Sequence, residues 1–140
     1  MIGYYANIEY DETENVYNVE FPQLKGCYTY GKTLESALSY AEECLTGYLS
    51  SVIENNFDLP TQDIKDLKNL YFIKPEINIS FVIWLKNMRK QKGFTQKQIA
   101  DILHISYQAY QKYENPKTAN PTLKKISDIQ NIFGDELIKV

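Results

Sequence analysis

Tyr107, Gln108, Gln111 and Lys112 recur at spacings that put them on one side of a short helix, and that side carries no acid. Glutamine can pair bidentately with adenine in the major groove, and lysine can reach guanine or a phosphate. Ser106 stands just ahead of them, where the helix begins. Gln96 and Lys97 sit at the positive end of a preceding helical segment and suit phosphate contacts. Lys117 offers a further one from the loop that follows. The chemistry would be base reading flanked by phosphate binding, with duplex DNA as the partner. An ordinary helical hairpin whose polar face meets only water would show the same pattern, so the residues alone leave both readings open.

Other reactive side chains are sparse. Asp11, Glu12 and Glu14 invite a nuclease reading, because clustered carboxylates can hold magnesium. Adjacent acids in a hairpin turn are more often solvated, and no second carboxylate cluster accompanies these on another strand. No histidine precedes His104, and no Gly-rich phosphate loop is present. Cys27 and Cys44 are too few and too oddly placed for a disulfide framework or a zinc site, and reduced thiols are the default. Neither has a histidine base in its own half. The expectation is no catalytic residue, no metal, no cofactor and no enzyme.

The elements that must position the polar face announce themselves. Thr95 is a good N-cap, and Gln98 completes a capping box. Phe94 and Ile99 are placed for a hydrophobic staple, and Ile99, Ala100, Ile102 and Leu103 give an apolar stripe. Ser106 caps the second helix, Ile105 and Tyr110 repeat the staple, and Ala109, Tyr110 and Tyr113 are available for packing. With the small Ala100 where the helices approach, this is the layout of a helix-turn-helix. Upstream, Pro75–Ile79 reads as a linker and Ser80 as the cap of a helix with Phe81, Val82, Leu85 and Met88 inside. Trp84 is core or interface. Lys86, Arg89, Lys90 and Lys92 make its other side basic, and Gly93 ends it. Downstream, residues 115–120 form a loop, and Thr122 caps a last helix with Leu123, Ile126, Ile129 and Phe133 facing in. Residues 136–140 are apolar and β-prone. They either pair across a dimer, the favoured reading, or cover the core.

The first half has a different rhythm. Alternation over Ile2–Tyr10 predicts a strand with Tyr4, Ala6, Ile8 and Tyr10 on one face and Tyr5, Asn7 and Glu9 on the other. A polar turn leads to a second strand over Val16–Phe21, and Cys27–Tyr30 is a short third one, closed by Gly31. Thr33 caps a long helix whose Leu34, Ala37, Leu38, Ala41, Leu45, Tyr48, Leu49, Val52 and Ile53 keep one face apolar until Asn55 and Asn56 end it. Residues 70–73 predict a fourth strand. The fold class expected is α+β: a β-β-β-α-β module followed by an all-α helix-turn-helix domain.

Length, charge and hydropathy agree with two modules. A chain of 140 residues allows one ordinary domain or two small ones. Residues 1–75 hold five lysines against twelve acids, a balance of −7, and residues 76–140 hold ten basic residues against six acids, a balance of +4. The basic half fits a polyanion, and the acidic half would be repelled by one. No apolar run approaches a membrane span and no leader is evident, so a cytoplasmic protein is expected.

Two resemblances cover nearly the whole chain. Residues 80–134 resemble a Cro/C1-type (XRE-like) helix-turn-helix, carried by Thr95-Gln96, Gln98-Ile99-Ala100, Ile105-Ser106 and Tyr113-Glu114, with His104 where such domains usually have glycine. Phe21-Pro22, Leu24, Gly26-Cys27, Gly31, Thr33-Leu34 and Ala37 resemble the HicB antitoxin family, whose sheet is a reduced RNase H-like fold. The resemblance implies a toxin-binding domain over residues 1–75 and a DNA-binding, dimerising domain over 76–140. It implies as partners a small basic RNA-cleaving toxin of the HicA type, operator DNA and a second copy of the chain. Two alternatives stand beside it: a stand-alone repressor whose first module senses a ligand or dimerises, and an RNase H-like nuclease with a DNA-targeting domain.

Overall fold

The computed structural model describes residues 2–62 and 68–134, which form two compact units, Ile2–Glu76 and a second beginning at Ile77. The first holds β1 (Tyr4–Asp11), β2 (Val16–Glu20), β3 (Tyr28–Gly31), α1 (Leu34–Glu54) and β4 (Leu70–Ile73). The second holds α2 (Ile77–Gln91), α3 (Gln96–Ile102), α4 (Tyr107–Tyr113) and α5 (Leu123–Phe133). The chain is α+β, as the alternation and helical periods require.

Strand period sets the first unit. The four strands form an antiparallel sheet in the order β3-β2-β1-β4. Tyr4, Ala6 and Ile8 of β1 are buried, and the register sets Ile8 against Val19 and Tyr4 against Ile73, so one face is an apolar layer. The helix α1 supplies Ala37, Ala41, Leu45, Leu49, Val52 and Ile53 to the core. Full burial of Leu45 or Leu49 stabilises by about 2 kcal/mol each. Close approach of sheet and helix explains Gly31: a Cβ there would lie 2.4 Å from the Ala37 amide nitrogen. Tyr10 falls on the core side but is exposed, because it lies near the end of β1.

Local hydrogen bonds set the helix ends. Thr33 Oγ1 accepts from the Ser36 amide and Ser36 Oγ accepts from the Thr33 amide, both at 3.0 Å, a reciprocal cap. Three helices then stop by one device, in which the residue after the C-cap turns left-handed and two amides reach back into the last turn. Asn56 (φ 55°) ends α1 with Asn56 N–H to Ile53 and Phe57 N–H to Val52. Gly93 (φ 76°) ends α2 with its N–H to Lys90 and Phe94 N–H to Arg89. His104 (φ 57°) ends α3 with its N–H to Asp101 and Ile105 N–H to Ala100. The non-glycine turn residue therefore does adopt a left-handed backbone.

The second unit corrects four expectations. Ser80 caps nothing: α2 starts at Ile77, because the apolar spacing Ile79, Val82, Ile83 already runs through it, and Ser80 is buried. Leu123 is 81% exposed at the first position of α5, so it does not join Ile129 and Phe133 inside. Ile102 is exposed, leaving Ile99 and Ala100 as the buried part of the α3 stripe. Arg89 does not belong to a free basic face; it is half-buried against Glu114. Trp84 packs edge-on to Phe133 with ring centroids 5.7 Å apart and lies 6.2 Å from Phe81. Residues 136–140 fall outside the described residues.

Candidate nucleic-acid interface

The turn between α3 and α4 is built from its caps. Thr95 Oγ1 accepts from the Gln98 amide (3.1 Å), and Gln98 Oε1 accepts from the Thr95 amide (2.8 Å). Ser106 Oγ accepts from the Ala109 amide at 3.1 Å and starts α4. Between the caps, Ala100 is 1% exposed, and any larger side chain there would push the helices apart.

The phase of α4 divides its residues cleanly. Tyr110 is wholly buried, while Tyr107, Gln108, Gln111 and Lys112 are exposed on the opposite arc. Lys97 is exposed in the first turn of α3, and Ser106 is exposed at the cap. Gln96 is half-buried, and its carboxamide joins two helices: Oε1 accepts from the Tyr107 hydroxyl (3.2 Å), and Nε2 donates to Glu114 Oε1 (3.3 Å). Lys117 is exposed in the loop after α4, its amide donating to Asn115 Oδ1 at 2.9 Å. Thr118 Oγ1 donates to the Lys112 carbonyl at 2.8 Å and holds that loop to the end of α4.

Beneath this surface lies a polar centre that sequence reasoning missed. Glu114 is buried, and its carboxylate accepts from Arg89 Nε (2.6 Å), Arg89 Nη2 (3.0 Å), the Tyr110 hydroxyl (2.5 Å) and Gln96 Nε2 (3.3 Å). Arg89 Nη1 also donates to the Phe94 carbonyl at 3.1 Å. Burial pushes the Glu114 carboxyl up, but Arg89, Tyr110 and Gln96 outweigh it, and the net position is below the ordinary carboxylate range. Burial, then the Glu114 contact, hold the Tyr110 phenol well above its ordinary range. One signal was available in the sequence: an acid at the C-terminal end of a helix opposes the helix dipole and calls for a cation beside it.

The first unit presents a second surface. With α1 on one face, the register leaves Tyr5, Asn7 and Glu9 of β1, Asn18 and Glu20 of β2, Tyr28 and Tyr30 of β3, and Phe72 of β4 on the other. Tyr5, Tyr28, Tyr30 and Phe72 are 40–73% exposed, a large aromatic area around two central acids. Asn7 Oδ1 is buried there with no hydrogen-bond partner among the described residues. Asp11 Oδ1 is engaged in the hairpin turn, accepting from the Thr13 amide (2.8 Å) and the Glu14 amide (3.3 Å).

A four-stranded sheet backed by one helix, joined in sequence to a helix-turn-helix, defines a two-unit α+β protein. Residues 4–86 match the family described as HicB_like antitoxin of bacterial toxin-antitoxin system, and residues 85–137 match the family described as Helix-turn-helix. The chain belongs to the HicB-like antitoxin family. It is 46% identical over 50 residues to the SPbeta prophage-derived uncharacterized HTH-type transcriptional regulator YonR of Bacillus subtilis, covering 36% of this chain and 45% of that one. The chain thus spans less than half the length of that relative. It is also 30% identical over 63 residues to the UPF0150 protein Ta0767 of Thermoplasma acidophilum, covering 45% of this chain and 91% of that one. Among the described residues, no helix is long and apolar enough to cross a membrane.

Proposed function

We propose that this chain is the antitoxin of a type II toxin-antitoxin pair. Its first unit binds and blocks a small, basic, RNA-cleaving toxin of the HicA type, and its second represses the shared operon. The division of labour follows residues 1–75 and 76–140. The observation that carries the reading is the open sheet face, where Glu9 and Glu20 lie among exposed aromatics in a half of charge −7. Opposite charge steers encounter, and desolvated aromatics hold the complex once formed.

On DNA, Gln108 and Gln111 read base edges, Tyr107 and Lys112 flank them, and Lys97 and Lys117 take phosphates. Gln96 fixes the Tyr107 hydroxyl beside them, and Ser106 presents the cap. One short recognition helix reads too few base pairs for high specificity, so the chain acts as a dimer on a near-palindrome with half-sites about 10 bp apart. The protein works in the cytoplasm, without cofactor and without enzymatic activity. The experiment is to co-express the full chain with a small basic HicA-type protein, sought among the reading frames beside its gene, and to footprint the complex on the upstream DNA. A stable complex that protects paired half-sites supports the reading, and free components with no footprint sink it.

A stand-alone repressor is the second reading, favoured by the likeness to a transcriptional regulator. It predicts the same footprint and no toxin complex.

A further inference from the structure

Cys27 and Cys44 are 17 residues apart in sequence, yet their sulfurs are 3.2 Å from each other. Both positions are tightly held. Cys27 closes the loop after β2, where its amide donates to the Leu24 carbonyl (2.9 Å) and its carbonyl accepts from the Phe21 amide (3.2 Å). Leu24, buried within that loop, anchors it to the core. Cys44 sits mid-way along α1, half-buried, with its thiol also directed at the Tyr28 carbonyl 3.8 Å away. Both are free thiols, and the chain has no other cysteine.

We propose that Cys27 and Cys44 are a redox-active dithiol that peroxide converts to an intrachain disulfide and thiol reductants restore. A disulfide needs the sulfurs about 2.05 Å apart, so a small rotation of either side chain from the present contact closes it. Cys27 is 2% exposed, which leaves the half-buried Cys44 as the sulfur that an oxidant meets first. Burial, then the hydrogen bond to Cys44, push the Cys27 thiol far above its ordinary range and keep it protonated until the second step.

The chemistry balances. The Cys44 thiolate attacks one peroxide oxygen, the O–O bond breaks, and the departing hydroxide takes a proton to leave as water, giving a sulfenic acid. The Cys27 sulfur then attacks the Cys44 sulfur and loses its proton, while the hydroxyl leaves as a second water. Two thiols lose two electrons and two protons in all, and one peroxide is reduced to two waters. The product ties the start of β3 to α1, next to Tyr28 on the open sheet face.

The test uses the full chain, reduced, freed of reductant, and exposed to stepwise hydrogen peroxide before denaturation and alkylation. The expected result is loss of both alkylation sites together, an intact mass lower by two hydrogens, and a proteolytic fragment linking Cys27 to Cys44. Dithiothreitol returns both sites. At the dose that couples the native pair, Cys44→Ser keeps Cys27 alkylatable, and Cys27→Ser collects oxygen on Cys44. The proposal is overturned if the native chain keeps both thiols, if Cys44 goes on to sulfinic acid while Cys27 stays free, or if the only disulfide formed is between chains.

Discussion

Arg89 grips both carboxylate oxygens of Glu114, Nε to Oε2 at 2.6 Å and Nη2 to Oε1 at 3.0 Å, and so ties α2 to the end of α4. Their side chains are 14% and 3% exposed, so removing one partner strands a charge that water can barely reach. Glu114→Gln is expected to cost about 3 kcal/mol. Arg89→Met combined with Glu114→Gln should cost clearly less than the two single changes added together, because neither charge is then left alone. Urea unfolding followed by Trp84 fluorescence checks this, since Trp84 is the only tryptophan and lies in α2. Strictly additive losses would contradict the account.

The same carboxylate sets an acid limit. Its folded position lies below the ordinary value of about 4.3, so the stabilisation is fully present above that value and is lost as pH falls through the folded position. The Trp84-reported melting temperature should therefore drop on acidification below about pH 4–5. In Glu114→Gln that drop should be visibly smaller. An unchanged slope in the variant would show that other groups control the transition.

His104 carries a left-handed backbone in an exposed turn. A side chain with a Cβ is strained there, and glycine is not, although glycine has more unfolded freedom to lose. His104→Gly should stabilise the unit by about 0.5–1 kcal/mol, and His104→Val should destabilise it. Thermal melts of the two variants decide the sign. A stabilising valine would mean that the turn is not held as described.

For DNA, Gln108→Ala and Gln111→Ala should each cost about 1–3 kcal/mol and relax preference at one base position. Lys97→Ala and Lys117→Ala should weaken all sequences alike and reduce the salt dependence of binding by about one unit of slope each. Gel-shift titrations at several salt concentrations on the operator and on scrambled DNA separate the two patterns. If both glutamine variants bind as the native chain does, the recognition surface lies elsewhere.

What was legible in the sequence is what local physics controls. The caps at Thr33, Thr95, Ser106 and Thr122 each bond to an amide three residues on, so the residue pair is its own evidence. The alternation of Tyr4, Ala6 and Ile8 likewise marked the buried face of β1. Contacts between distant residues were not legible. Arg89 and Glu114 are 25 apart: the acid at the end of α4 called for a cation, but nothing local named Arg89 as the one that turns inward. Cys27 and Cys44 looked badly placed until a loop and a helix brought them together. Leu123 fitted the apolar period of α5 but stands at its first turn, beyond the buried stripe. The acidic and aromatic open face emerged only when the register aligned Glu20 with Asn7 and Tyr28 with Glu20.

The most direct measurement is RNA cleavage by a small basic HicA-type toxin, sought among the reading frames beside this gene, titrated with the full chain. Cleavage should stop near equimolar chain. The Glu9→Lys/Glu20→Lys variant, altered only on the open sheet face, should lose that inhibition while binding operator DNA as before. Toxin that keeps cleaving in excess native chain would contradict the antitoxin account, and full inhibition by the charge-reversed variant would contradict the surface assigned to it.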